Sequence, residues 1–181
     1  YSKSYLQRAI AVSVLVRNRI EIVGYTASKD AIAATSIAEA LGAKCTLAGN
    51  KLTVDSRDVG SMNSVTIHCG EAGLSTRMFS PIAASLSKDV TVLGEGSILT
   101  RPMDMVIEAL EGFGAVVTSE NGKLPLHITN GIHPGEVEID GSESSQLLTG
   151  LLIALAFMPE SSVVHVKNLK SIPYVQMTLD L

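Results

Sequence analysis

The chain of 181 residues has no tryptophan, four tyrosines and three phenylalanines. Single-strand binding uses aromatic faces and clustered Lys and Arg. A net charge of −4 and a pI near 5.5 give no such basic surface, so no nucleic-acid partner is expected. Charged residues are 18% and hydrophobic residues 46% of the chain, against about 25% charged in ordinary soluble domains. So low a charge fraction implies a thick interior or a surface covered by another part of the protein. Long apolar runs are absent too: residues 147–158 form about a dozen, short of the roughly 20 a membrane helix needs. That run reads as a buried helix ended by Pro159, with no membrane partner. Cysteine is limited to Cys45 and Cys69, without CxxC spacing, which predicts two buried, reduced thiols and a cytoplasmic location. His68, His127, His133 and His165 lack metal-ligand spacing, and no GxSxG, Walker A or HExxH pattern occurs. Gly94, Glu95 and Gly96 lack the third glycine of a dinucleotide loop. No metal or organic cofactor is expected.

What is present is repetition. A phrase of helix, strand, helix and two short strands recurs at about 70 residues, a longer period than those of solenoids and propellers. The first copy runs SKSYLQRAIAVSVL, IEIVGYT, SKDAIAATSIAEALGAKC, KLTVDS, and the second GLSTRMFSPIAASL, DVTVLGE, TRPMDMVIEALEGFGAVV, KLPLHIT. In both, a helical pattern ends at a glycine, Gly42 or Gly114, suited to the left-handed conformation that closes a helix. The third copy has SSQLLTGLLIALAF and SSVVHVKNL, then a helix from Pro173 that stops at Leu181. A single α/β domain of units 1–60, 61–130 and an incomplete 131–181 is expected. Starting at Tyr1 without Met and stopping in mid-unit, the chain reads as a fragment of a longer protein.

Each copy opens a helix with residues suited to an anion. Ser2 or Ser4 can cap the first helix, and Ser4 and Arg8, four apart, share one side. Lys3 and Arg8 are cations at a helix start, where the helix dipole disfavours them unless an anion is bound. Alone, the segment reads equally well as a capped helix with solvated basic residues. In the second copy a strand at 65–69 meets Gly70, Glu71, Ala72 and Gly73, where glycines permit a sharp turn and close approach of amides to a ligand. Arg77 follows, about one repeat after Arg8. Arg101 stands before Pro102, which suits the first turn of a helix; its planar fork can take a phosphate or carboxylate, or pair with Asp104 or Glu108. In the third copy Ser144, Ser145 and Gln146 precede the apolar helix, to bind substrate or to cap it.

Taken together, these motifs resemble the 5-enolpyruvylshikimate-3-phosphate synthase family. The resemblance covers essentially the whole chain in five ordered matches: Lys3-Ser4 with Arg8; the G-x-A-G-x-x-x-R turn at 70–77; Arg101-Pro102-Met103; Ser144-Ser145-Gln146; and Ser171 with Pro173-Tyr174. It implies two domains, each an inside-out α/β barrel of three βαβαββ units with helices inside, of which this chain is most of one. The activity implied is transfer of the enolpyruvyl group of phosphoenolpyruvate to the 5-hydroxyl of shikimate 3-phosphate, in aromatic amino acid biosynthesis. Carried over by motif, Ser4, Arg8, Ser144, Ser145, Gln146, Ser171 and Tyr174 would hold shikimate 3-phosphate. Lys3, Gly73, Arg101 and Gln146 would hold phosphoenolpyruvate, with Lys3 also catalytic. An Asp, a Lys and several Arg would come from the missing C-terminal part, so the fragment alone is expected to be inactive.

The chain departs from the family's pattern at Glu71, where Asn is common, and at Leu74, where Thr is common. A carboxylate near phosphoenolpyruvate repels it unless it points away, pairs with a basic residue or is protonated. Affinity for phosphoenolpyruvate, and for inhibitors such as glyphosate that compete with it, turns on that point. The related UDP-N-acetylglucosamine enolpyruvyl transferases begin with Lys-Asn and carry a loop cysteine, whereas Lys3-Ser4 and Ser97, Ile98, Leu99 and Thr100 stand here. A noncatalytic phosphate-binding module is the rival from another class, hinted at by Glu71.

Overall fold

The computed structural model describes residues 2–142 and 144–181. The first stretch is α1 (Lys3–Leu15), β1 (Arg19–Val23), α2 (Lys29–Ala40), β2 (Lys44–Ala48) and β3 (Lys51–Asp55). Then come β4 (Val65–His68), α3 (Gly73–Leu86), β5 (Asp89–Leu93), a 3-10 turn (Gly96–Thr100), α4 (Asp104–Gly112), β6 (Val116–Glu120) and β7 (Lys123–Thr129). The last stretch is β8 (Glu136–Asp140), α5 (Gln146–Ala156), β9 (Val163–Lys167) and α6 (Ile172–Leu179). Local chemistry sets several boundaries. The hydroxyls of Ser2 and Ser28 accept from the amides of Tyr5 and Ala31, 3.3 and 3.2 Å away, and start α1 and α2. Gly42 and Gly114 take φ of +94° and +88° just beyond α2 and α4, a conformation that costs other residues strain.

Three sheets form. In the first, β3 lies antiparallel between β1 and β2; in the second the order is β4-β5-β7-β6, with β4 and β5 parallel; in the third, β8 and β9 pair in parallel. The parallel pairs are bridged by α3 and α5, since parallel strands need a crossover. Each sheet keeps one face toward water. On β7 the side chains of Leu124, Leu126 and Ile128 are buried while the intervening residues are exposed, the period-2 pattern of a half-covered strand.

α1, α3 and α5 bury most of their residues. Every residue of α3 from Ser75 to Ala84 is buried, so the helix is enclosed on all sides. Burying a side chain such as Phe79 or Ile82 contributes roughly 1.5–3 kcal/mol, and both are fully inaccessible. α5 packs directly on α3 because Gly150 has no side chain: a Cβ there would lie 2.7 Å from both Met78 Cα and Pro81 Cγ. That contact fixes the start of α5 beside the start of α3.

Two expectations are corrected and one strand is added. The helix after Arg101 starts at Asp104 rather than at Pro102, because residues 96–100 form a separate 3-10 turn capped by Arg101. β8 precedes α5, in the alternating EVEID run that the repeat phrase passes over. Cys45 is half-buried rather than buried; only Cys69 is enclosed. Burial, helped by the charge of Glu39, pushes the Cys45 thiol up to about 11. For Cys69 deeper burial pushes it to about 12, against a hydrogen bond from Thr76 that lowers it.

Candidate active site

A cleft of about 540 Å³ opens where the N-termini of α1, α3 and α5 meet, closed at its sides by the ends of the 3-10 turn and the start of α6. Lys3, Ser4, Arg8, Gly73, Arg101, Ser144, Ser145, Gln146, Ser171 and Tyr174 all line it. Converging helix N-termini present unsatisfied N–H groups and partial positive charge to one space, the arrangement that favours an anion. Among the described residues the lining cations are Lys3, Arg8 and Arg101, and the lining carboxylates are Asp30 and Glu71.

At the start of α3 the missing side chain of Gly73 makes room. A Cβ there would lie 2.9 Å from Arg77 Nη1, 3.3 Å from Arg101 Nη1 and 3.5 Å from Gln146 Oε1. Two guanidinium groups and a carboxamide thus converge on one backbone position. Arg77 Nη1 donates to Gln146 Oε1 at 3.2 Å, which orients the amide of Gln146 with its nitrogen free to donate elsewhere. Arg101, at the C-cap of the 3-10 turn, is exposed and makes no ion pair with Asp104 or Glu108.

Arg8 is 1% exposed. Its Nε donates to Thr178 Oγ1 at 3.0 Å, Nη1 to the Ser4 carbonyl at 2.9 Å, and Nη2 to Thr149 Oγ1 at 3.1 Å and the Tyr174 carbonyl at 3.4 Å. Burial lowers its pKa, with the charge of Tyr174 acting the other way, and its guanidinium lies 5.9 Å from the Tyr174 ring centroid. A guanidinium has five N–H groups, and those bonds engage four of them among the described residues. The residue that sequence spacing marks as an anion binder is also the tie between α1, α5 and α6.

The hydroxyl of Ser144 accepts the Gln146 amide at 3.1 Å, while Ser145, the N-cap residue, makes no capping bond with its side chain. Ser171 sits in the left-handed region, φ +58°, with no capping bond from its side chain either. A non-glycine residue there costs roughly 1–2 kcal/mol, and it brings Ser171 to the cleft beside Tyr174. Lys3 pairs with Asp30 of α2 at 2.8 Å, in a largely exposed bridge.

Glu71 lines the cleft with its carboxylate engaged: Oε2 accepts the backbone N–H of Ser97 at 3.2 Å. Asp30 and Gln7 also line the cleft and went unnoticed in the sequence. An acid in the first turn of a helix is ordinary, so Asp30 carries no signal of its own. Gln7, 1% exposed, has both amide atoms without a protein partner; only its place one residue before Arg8 could have drawn attention. Among the described residues no group of three His, Cys, Asp or Glu is arranged to hold a metal ion. What this arrangement can do is hold anionic groups and stabilise negative charge that shifts between them.

The sequence profile of EPSP synthase (3-phosphoshikimate 1-carboxyvinyltransferase) matches residues 1–181. A 3-phosphoshikimate 1-carboxyvinyltransferase from Methanocorpusculum labreanum is 33% identical over 98% of this chain and 43% of its own length. Its counterpart from Korarchaeum cryptofilum is 35% identical over 99% of this chain and 44% of its own length. The chain thus spans less than half the length of these relatives. Among solved structures, EPSP synthase from Acinetobacter baumannii superposes with a TM-score of 0.74 at 23% identity, over 90% of this chain and 38% of that one. The enolpyruvyl transferase NikO from Streptomyces tendae gives 0.65 at 15% identity, over 99% and 42%. Those likenesses establish a shared α/β fold, and the profile and the relatives place this chain in the EPSP synthase family.

Proposed function

We propose that this chain supplies the shikimate 3-phosphate half of an enolpyruvyl transfer site, in an enzyme that joins phosphoenolpyruvate to the 5-hydroxyl of shikimate 3-phosphate with release of phosphate. The observation that carries the reading is the convergence of five separated motifs, from Lys3 to Tyr174, on one cleft fed by three helix N-termini. Ser144, Ser145 and Ser171 offer hydroxyls to the shikimate phosphate, with Ser4, Arg8 and the Tyr174 ring toward the rest of that substrate. Gly73, Arg101 and Gln146 face phosphoenolpyruvate, and Lys3 reaches the same end of the cleft. Addition of the hydroxyl to the enol double bond gives a tetrahedral intermediate that expels phosphate. Fixed cations and oriented amides stabilise the charge that moves in both steps, commonly the largest contribution to catalysis.

The remaining catalytic groups belong to the rest of the enzyme, and the reading includes a place for part of it. A groove of about 660 Å³ between α5, β9 and α6 is lined by Leu148, Leu152, Val164, Val166, Val175 and other apolar residues. In the first two sheets the strand equivalent to β9 pairs with a following hairpin strand, β3 or β7. We assign the groove to a further hairpin of the parent enzyme, pairing along β9. A cytoplasmic setting suits the two unpaired thiols. None of the described helices is long and apolar enough to cross a membrane.

The full-length parent tests the activity. It should release phosphate from phosphoenolpyruvate only when shikimate 3-phosphate is present; release that ignores shikimate 3-phosphate, or that requires UDP-N-acetylglucosamine instead, refutes the assignment.

A further inference from the structure

We propose that Glu71 is a positioning residue for Arg101, its carboxylate forming the last rung of the ladder between β4 and β5 and so setting the 3-10 turn that carries Arg101 into the cleft. The inference rests on the proposed role of Arg101 toward phosphoenolpyruvate. β4 and β5 run parallel through the pairing of His68 with Leu93. Beyond the strand ends the pairing continues: the Cys69 amide donates to the Leu93 carbonyl at 2.8 Å and the Glu95 amide to the Gly70 carbonyl at 2.9 Å. The next donor is Ser97 N–H. There the strand of β4 has entered the turn that leads to α3, and the acceptor is the side-chain Oε2 of Glu71 at 3.2 Å.

The rung lies between two structures that must be held together. One chain leads from Glu71 to Gly73 and Arg77, the other from Ser97 through the turn to Arg101, and the two meet again at the Gly73 position. The turn is anchored below by Ile98, fully buried. Above, the carboxylate lies over Gly96, where any Cβ would strike it; Gly96 has φ +60°. Glu71 and Gly96 therefore form a matched pair, the one side chain occupying the space that the other residue leaves. A carboxylate engaged in this way faces the turn and accepts the Ser97 N–H at its start.

The two physical effects of Glu71 predict opposite signs. If it acts chiefly as a negative charge beside phosphoenolpyruvate, removing it tightens binding; if it positions Arg101, removing it weakens binding, and Gln, which keeps an acceptor oxygen, rescues. The experiment compares the wild-type chain with Glu71→Ala and Glu71→Gln, uniformly labelled with nitrogen-15. Without ligand, Glu71→Ala should speed exchange of the Ser97 amide roughly tenfold or more and shift or broaden the Arg101 Nε–H resonance, while Glu71→Gln leaves both near wild type. Unchanged Ser97 exchange and an unchanged Arg101 resonance in Glu71→Ala overturn the proposal whatever ligands do. With phosphoenolpyruvate as titrant, Glu71→Ala should bind about tenfold more weakly and Glu71→Gln within about threefold. Tighter binding by both variants also overturns it. If the ligand-free differences appear but wild type shows no phosphoenolpyruvate binding, the positioning role stands and the functional reading of Arg101 fails.

Discussion

Gly73 works through the space it leaves. The atoms nearest its absent Cβ are the tips of Arg77 and Arg101 and the amide oxygen of Gln146, all ends of flexible side chains, and its φ is not in the left-handed region. A Gly73→Ala chain should therefore fold with little loss of stability, and the methyl should displace the two guanidinium groups instead. Displacements near 1 Å in a binding constellation can cost up to a hundredfold, so KM for phosphoenolpyruvate in the full-length parent should rise by roughly ten- to a hundredfold with a smaller change for shikimate 3-phosphate. Equal kinetics for the variant and wild type would show that the two arginines do not act at this position. Residues of this kind were legible in the sequence because hydroxyls, amides and cations at helix starts are unusual in number and order. Asp30 was not, since one acid in a first turn is commonplace, and its meeting with Lys3 at 2.8 Å depends on how α1 and α2 pack. That exposed pair is worth about 0–1 kcal/mol, weak enough for Lys3 to exchange Asp30 for a bound anion.

Among the elements, α6 depends most on a single side chain. Only Thr178 of its residues is buried, and Arg8 bonds to both Thr178 and the Tyr174 carbonyl while reaching Thr149 of α5. Arg8→Ala removes a buried guanidinium and leaves the Thr149 and Thr178 hydroxyls with each other and with the carbonyls of Ser145 and Tyr174. A hydrogen bond from a charged group contributes about 1.5–3 kcal/mol, so losing those of Arg8 destabilises the fold, offset in part by relief of the cost of burying the guanidinium. The expected result is a lower urea midpoint, with amides of α6 exchanging faster before those of β7 respond. A variant with wild-type exchange in α6 would contradict the tie. Sequence spacing put Arg8 beside Ser4 correctly but could not reveal this second duty, because both threonines lie more than a hundred residues away. The 3-10 turn before Arg101 was hidden for a local reason: SILTRP reads as the approach to a helix, and only the packing of Ile98 and the rung from Glu71 show that the turn is a separate piece.

At the scale of the molecule, α1, α3 and α5 are largely buried and the sheets keep a face outward. The order helix, strand, helix, strand, strand occurs twice in full, followed by a shorter third run. That order was visible from helical periods and closing glycines, whereas the inward placing of helices came only from the family resemblance. The low charge fraction left a thick interior and a covered surface both open; α3, with ten consecutive buried residues, accounts for part of it. The close crossing at Gly150 was not visible, because an isolated glycine in a helical pattern does not say which neighbour approaches it. Yet that crossing sets Ser145 and Gln146 beside Gly73, and so gathers residues from distant copies into one cleft.

The central claim is that this gathering makes a site for shikimate 3-phosphate within the chain itself. Titration of the folded, nitrogen-15-labelled chain with shikimate 3-phosphate, with unphosphorylated shikimate as the control, tests it most directly. Saturable shifts at the amides of Ser4, Ser144, Ser145, Gln146 and Ser171, weaker or absent with shikimate, are predicted. A well-dispersed spectrum that stays unmoved at millimolar shikimate 3-phosphate would contradict the account.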